Sequence, residues 1–267
     1  MNRFGTKICG ITSVADAIAA VESGVDAIGL NFSINSKRRV ETGQAQEIIS
    51  EVRRIDPRVI CIGVFVEQSP EEVEQIAARL ELDVIQLHGD QPTALLARSW
   101  SRPILWVVRV PICSESEMAA RLSTAVDSAI TDSGWLPRNA AHGRESQFQR
   151  LAGVLIDAYT TADYGGTGQT VAWDPLGQRR SWVKLGWAAS AWPTDLPLIL
   201  AGGLNPDNVA RAIGSSRPTA VDVASGVEVG PGVKSPEKMK AFVAAARSAF
   251  QLLETNCDSS TTERFFS

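Results

Sequence analysis

Short apolar runs alternate with longer amphipathic ones along most of the chain. Eight of the apolar runs read as buried strands, at residues 6–9, 27–32, 59–66, 84–87, 104–110, 153–157, 198–201 and 220–224. Between them the apolar positions recur at helical spacing, at 13–22, 42–53, 70–79, 92–99, 116–129, 207–213 and 236–253. Ser13 and Ser69 stand where N-caps belong, Pro70 suits a first helical position, and Ser69-Pro70-Glu71-Glu72 has the capping-box spacing. Strands that alternate with helices predict an α/β protein with a closed parallel barrel. In such a barrel all strand tips face one mouth, and reacting side chains gather there.

Three stretches interrupt the pattern. Residues 132–149 are polar and punctuated by Gly134, Pro137 and Gly143, so they read as an inserted surface loop. The sixth helical slot, near 173–184, is poorly filled. It runs into a segment carrying Trp182, Trp187 and Trp192, whose spacing of five makes no clean helical face. That segment reads as a packed crossover or an extra helix on the outer wall, in preference to an aromatic partner patch. Residues 255–267 are rich in Ser and Thr and read as a disordered tail, leaving 1–254 as a single barrel domain.

Composition narrows the function classes. The 267 residues are 44% hydrophobic and 21% charged, ordinary for a soluble protein and enough for one barrel. A net charge of −4 gives no long-range pull toward nucleic acid or an anionic membrane, and Lys37-Arg38-Arg39 is too short a run to change that. The four cysteines show neither CxxC spacing nor a disulfide framework, and two histidines are too few for a His-rich metal site. The start has no apolar leader and no apolar run reaches membrane-spanning length, so a cytoplasmic protein is expected.

The strand tips carry the chemistry. Cys9 ends the first strand, with Lys7 on the same side by alternation and Gly10 following. It is either core filler or a thiol whose pKa the neighbouring ammonium lowers toward a useful general base; local context does not choose. Asp157 follows Val154-Leu155-Ile156, where a carboxylate cannot be buried unpaired; it caps a turn or serves as a general acid. Gly165-Gly166-Thr167-Gly168, Ala201-Gly202-Gly203 and Ala224-Ser225-Gly226 follow strands six, seven and eight. Loops after the last two strands are the usual phosphate site of such barrels. Gln86 and His88 share a strand face at the fourth tip, which favours a ligand contact. An arginine of the 37–39 run could hold a substrate carboxylate by a two-pronged contact.

These runs together resemble the phosphoribosylanthranilate isomerase family of tryptophan biosynthesis. The resemblance rests on KICGIT at 7–12, NFSINSKRRV at 31–40, GVFV at 63–66, DVIQLHGD at 83–90, LIDAYTTADYGGTGQTVAWD at 155–174, LILAGGLNPDNV at 198–209 and GVEVGPGVKSPEKMKAFV at 226–243. It implies a (βα)8 TIM barrel that works without cofactor or metal on a phosphorylated small molecule, as monomer or homodimer. It implies Cys9 as general base and Asp157 as general acid, with Lys7, Arg38, Gln86 and His88 around the substrate. Phosphate would be held by Gly166, Thr167, Gly168, Gly202, Gly203, Ser225 and Gly226. The chain departs from the family in having Ala224 where Ser is usual, which removes one hydroxyl donor, and Lys37 where Pro is usual. A different sugar-phosphate isomerase, such as the histidine-pathway Amadori enzyme, would use two aspartates, which Cys9 argues against. A non-catalytic binding barrel is the remaining alternative.

Overall fold

Alternation within each strand sorts side chains into two cores. The computed structural model describes residues 5–89, 91–111, 115–133, 151–159 and 196–262. Its strands are β1 (Thr6–Cys9), β2 (Ala27–Asn31), β3 (Ile60–Val66), β4 (Val84–His88), β5 (Ile104–Pro111), β6 (Leu151–Tyr159), β7 (Leu198–Ala201) and β8 (Ala220–Val223). They pair in parallel in sequence order, and β8 closes on β1, with Lys7 opposite Asp222. The fold is the closed (βα)8 barrel that the alternation predicts.

Ala27, Ile62, Val84, Leu105, Val107, Leu155, Ile199 and Ala220 fill the barrel's interior as one cluster. Their odd-even partners, among them Ile8, Ile28, Cys61, Ile85, Val154 and Val221, face the surrounding helices in a second, larger cluster. Burying the strands on both faces is why they read as near-continuous apolar runs.

The helices are α1 (Val14–Glu22), α2 (Thr42–Ile55), α3 (Pro70–Arg79), α4 (Glu115–Ser133), α5 (Val209–Ser216) and α6 (Pro236–Thr262). Ser13 caps α1 by accepting from the Asp16 amide at 3.0 Å, and Ser69 caps α3 by accepting from Glu72 at 3.2 Å. The helix expected over 92–99 is instead one 3-10 turn, Thr93–Ala97. There the Leu95 carbonyl accepts from the Arg98 amide and from the Trp100 indole at 2.9 Å, so a longer α-helical ladder does not propagate. α5 starts two residues later than its apolar spacing suggests. Asn205 accepts from the Asp207 and Asn208 amides, and Asn208 accepts from Asn205, holding a turn ahead of the helix. α6 runs to Thr262, into the stretch that composition leaves as a tail. The inserted loop beyond Ser133, the sixth helical slot and the three-tryptophan segment lie outside the described residues.

One addition is not part of a minimal barrel. After β8 a 3-10 turn, Ser225–Val227, leads into an antiparallel hairpin of β9 (Glu228–Gly230) and β10 (Val233–Lys234). Lys234 pairs opposite Glu228 in this hairpin. Thr12 ties its turn to the β1–α1 loop by donating to the Gly232 carbonyl at 2.6 Å.

Candidate active site

The tips of β1, β2 and β8 make the floor of the mouth. Lys7 is fully buried, with its Nζ 2.8 Å from Asp222 Oδ2. Gly29 on β2 makes this crowding possible: a Cβ there would stand 2.7 Å from Cys9 Sγ and 3.0 Å from Lys7 Nζ. Burial alone would pull the Lys7 pKa down, but Asp222 and Cys9 outweigh it and the pKa is raised. Lys7 is thus a charge bound into the barrel interior, with Asp222 as its partner.

Of the two readings open for the thiol, a pKa lowered by the ammonium is not the one found. Burial pushes the Cys9 pKa up, Lys7 pulls it down, Asp222 pushes it up again, and the net shift is upward. The ammonium acts in the expected direction, but burial outweighs it and a carboxylate already neutralises it. The free protein therefore holds Cys9 as a thiol at neutral pH.

Asp157 stands near the tip of β6, in register with Arg109 on β5. Burial, then the nearby Asp222 charge, raise its pKa from 3.8 to about 6, against the pull of Arg109 and Lys7. His88 Nε2 lies 3.6 Å from Asp157 Oδ2, and about a quarter of each side chain reaches solvent. Gln86, one inward position below His88, is buried, and its Oε1 finds no partner among the described residues. Asp222 Oδ1 is unpartnered in the same sense. Two buried acceptors without donors are costly in a finished core and are the kind of group a substrate's donors can satisfy.

On the opposite rim both Glu228 carboxylate oxygens are paired. Arg38 presents Nε and Nη2 to the two carboxylate oxygens of Glu228, at 2.7 and 2.8 Å. Burial pushes Glu228 up, but hydrogen bonds from Arg38 and Lys234 outweigh it and its pKa is lowered. The Arg38 stem lies on Gly10, where φ is +73° and a Cβ would overlap Arg38 Cδ.

At the seventh and eighth tips, Gly202 and Gly203 both have positive φ, 86° and 65°, which suits glycine. Gly226 is pressed against the Leu204 carbonyl so closely that a Cβ would overlap it. The two loops expected to hold phosphate are therefore in direct backbone contact. A cavity of about 560 Å3 opens beside Ser225 and Gly226, with Asn205 and Lys238 also on its wall. It does not reach Cys9 or Asp157. Gly166, Thr167 and Gly168 lie outside the described residues. Among the described residues no three His, Cys, Asp or Glu side chains are grouped to hold a metal ion.

Structure thus brings together Lys7 with Cys9, and His88 with Asp157. It adds four residues that sequence reasoning missed: Arg109, Asp222, Glu228 and Lys234. Asp222 left a signal, a carboxylate inside the buried run Ala220–Val223 on the same face as Ala220. Glu228 and Lys234 left none, because nothing in their spacing reveals a hairpin that aims Glu228 at Arg38 and Lys234 at Glu228.

A family model described as N-(5'phosphoribosyl)anthranilate (PRA) isomerase matches residues 6–245. The N-(5'-phosphoribosyl)anthranilate isomerase of Pseudomonas fluorescens (strain Pf0-1) is 37% identical over 247 residues, spanning 92% of this chain and 100% of that protein. The crystal structure of phosphoribosyl anthranilate isomerase from Thermotoga maritima superposes with a TM-score of 0.67 at 33% identity, covering 92% of this chain and 99% of that one. A structure of phosphoribosyl anthranilate isomerase in complex with reduced 1-(o-carboxyphenylamino)-1-deoxyribulose 5-phosphate superposes at 0.63 with 30% identity, covering 92% and 99%.

Proposed function

This chain belongs to the N-(5'-phosphoribosyl)anthranilate isomerase family, and from that premise we propose how its own residues carry the Amadori rearrangement of N-(5-phosphoribosyl)anthranilate. The product is 1-(2-carboxyphenylamino)-1-deoxyribulose 5-phosphate. One observation carries the assignment of roles. A thiol and a carboxyl, Cys9 and Asp157, both sit at the mouth with raised pKa values and share Asp222 and Lys7 as charged neighbours.

Asp157 protonates the ribose ring oxygen; the C1–O bond breaks and the nitrogen lone pair closes an iminium. Cys9, as thiolate, takes the proton from C2, and those electrons form the enolamine, which tautomerises to the ketone. The chemistry is an internal redox isomerisation: C2 is oxidised to the ketone as C1 is reduced. In the free enzyme near pH 7 the dominant arrangement is the reverse, Asp157 ionised and Cys9 protonated. The reactive arrangement is a minor form, with Asp157 protonated and Cys9 ionised. A carboxyl pKa of about 6 keeps that form accessible at neutral pH.

Binding falls to other groups. Arg38 pairs with the anthranilate carboxylate through its free edge, and Gln86 and His88 face the sugar. The loops at Gly166–Gly168, Gly202-Gly203 and Ser225-Gly226 hold the phosphate through backbone amides, Ala224 offering no hydroxyl. The cytoplasm is the expected setting; among the described residues no helix is long and apolar enough to cross a membrane. The test is to generate the unstable substrate from anthranilate and phosphoribosyl pyrophosphate with a phosphoribosyltransferase. Loss of its fluorescence on adding this protein is the expected result. Fluorescence that decays no faster than without protein overturns the reading.

A further inference from the structure

We propose that Glu228 and Lys234 are positioning residues for the isomerisation: they fix the Arg38 guanidinium at a set distance from Cys9 and so match the enzyme to a substrate with a carboxylate on its aryl group. The proposal rests on the function proposed above and adds a bracket that measures the substrate.

The bracket is continuous in the structure. Lys234 Nζ donates to the Cys9 carbonyl at 2.7 Å, to the Ala224 carbonyl at 3.0 Å and to Glu228 Oε1 at 2.8 Å. All three ammonium protons are used, and its side chain is fully buried. Glu228 spans from Lys234 to Arg38, its Oε1 accepting from Lys234 and Arg38 Nε while Oε2 accepts from Arg38 Nη2. A guanidinium held along one edge by both carboxylate oxygens cannot swivel about its stem. Its Nη1 edge, with no partner among the described residues, then points in one fixed direction. The stem is seated on Gly10, the residue after Cys9. Arg38 is thereby tied to the β1 tip twice, through its own stem and through Glu228 and Lys234.

Stability does not explain this arrangement well. Buried ion pairs roughly break even against apolar packing. Charge does not explain it either. Glu228 halves the positive charge of the Arg38–Lys234 pair, which weakens attraction for an anionic substrate. What the carboxylate does supply is direction.

Two opposite outcomes separate position from charge. Glu228→Gln keeps the oxygen shared by Lys234 and Arg38 Nε but turns an amide NH2 against Arg38 Nη2, and it leaves the rim more positive. With steady-state assays on the whole protein, we expect KM to rise about tenfold with kcat within about threefold of wild type. A lower or unchanged KM overturns the proposal. In a double-mutant cycle with Arg38→Met, Glu228→Gln should add less than about twofold to KM, because it acts through Arg38. Multiplying effects would show a merely structural role. Arg38→Lys sits at a partly exposed position and keeps the charge without the fork, so it tests the same point should Glu228→Gln not fold. It should bind substrate as poorly as Arg38→Met, within about threefold, and near-normal KM would contradict the proposal. Lys234→Met frees both Glu228 and the Cys9 carbonyl, so both kcat and KM should worsen; a loss of melting temperature alone would contradict it. Wild-type protein without turnover would instead sink the function itself, whereas wild-type turnover with a normal Glu228→Gln variant sinks only the bracket.

Discussion

The floor of the mouth and its rim solve opposite problems with the same residue types. On the floor, Lys7, Cys9, Asp157 and Asp222 lie close enough to shift one another's titration, two acceptors lack donors, and burial drives the thiol and the Asp157 carboxyl toward their neutral forms. At the rim, the Glu228 carboxylate is satisfied by Arg38 and Lys234, and its pKa falls although burial opposes it. Groups whose pKa values are pushed toward neutrality suit proton exchange, and a carboxylate with both oxygens paired suits holding a neighbour still. In the function proposed above, reaction falls to the first region and alignment to the second.

The contrast breaks if floor substitutions spare kcat. Cys9→Ser replaces the base with a far weaker acid's conjugate and should lower kcat by roughly 10^3–10^4-fold, with KM little changed, in single-turnover assays. Near-normal turnover would remove Cys9 from the chemistry. Asp157→Asn cannot deliver a proton and should cost about 10^2–10^3-fold in kcat; ring opening at the wild-type rate would place the acid elsewhere. Gly29→Ala sharpens the comparison, because its Cβ would meet the Cys9 sulfur and the Lys7 amine. It should lower kcat more than tenfold by shifting the thiol out of line, whereas a full-rate Gly29→Ala enzyme would mean the crowding is incidental.

At the rim, Arg38→Met should raise KM about tenfold or more and lower kcat less, since the contact is made in ground and transition states alike. If Arg39→Met shows that effect instead, the wrong arginine of the run has been assigned. The smallest effect concerns stability. The Asp157 pKa is raised in the folded protein, from 3.8 to about 6. Its favourable contribution is complete below the unfolded value and is lost as pH climbs through about 6. Asp157→Asn should therefore stabilise the fold at pH 8, by roughly 1–3 kcal/mol in denaturant titrations, and should do so far less at pH 4. Equal effects at both pH values would mean that the carboxyl's pKa is not raised by its surroundings.

How much of this was legible in the chain follows from what each feature depends on. β1 and β7 were readable to the residue because apolar runs bounded by Gly and polar residues are local signals. Cys9, Asp157 and Gln86 were found for the same reason, as polar side chains at or near the ends of buried strands. The 3-10 turn at Thr93–Ala97 was misread because a tertiary donor, the Trp100 indole, competes for the Leu95 carbonyl. The direction of the Cys9 shift was left open because it depends first on burial and then on Lys7 and Asp222, the latter 213 residues away in sequence and brought beside Lys7 only by closure of the barrel. The Arg38–Glu228 pair spans 190 positions and is equally invisible to local pattern. Local signals place the tips; only closure shows which tips are compensated.

The most direct measurement is kcat/KM of the wild-type enzyme from about pH 5 to about pH 9. With a carboxyl of pKa about 6 and a thiol raised above its usual value, the active fraction is Asp157 protonated with Cys9 ionised. That product rises through about pH 6, stays level across neutrality, and falls only as the pH passes the thiol's raised value. Activity that instead declines as pH rises through 6 would mean that Cys9 is already a thiolate in the free enzyme, and would contradict the raised thiol pKa.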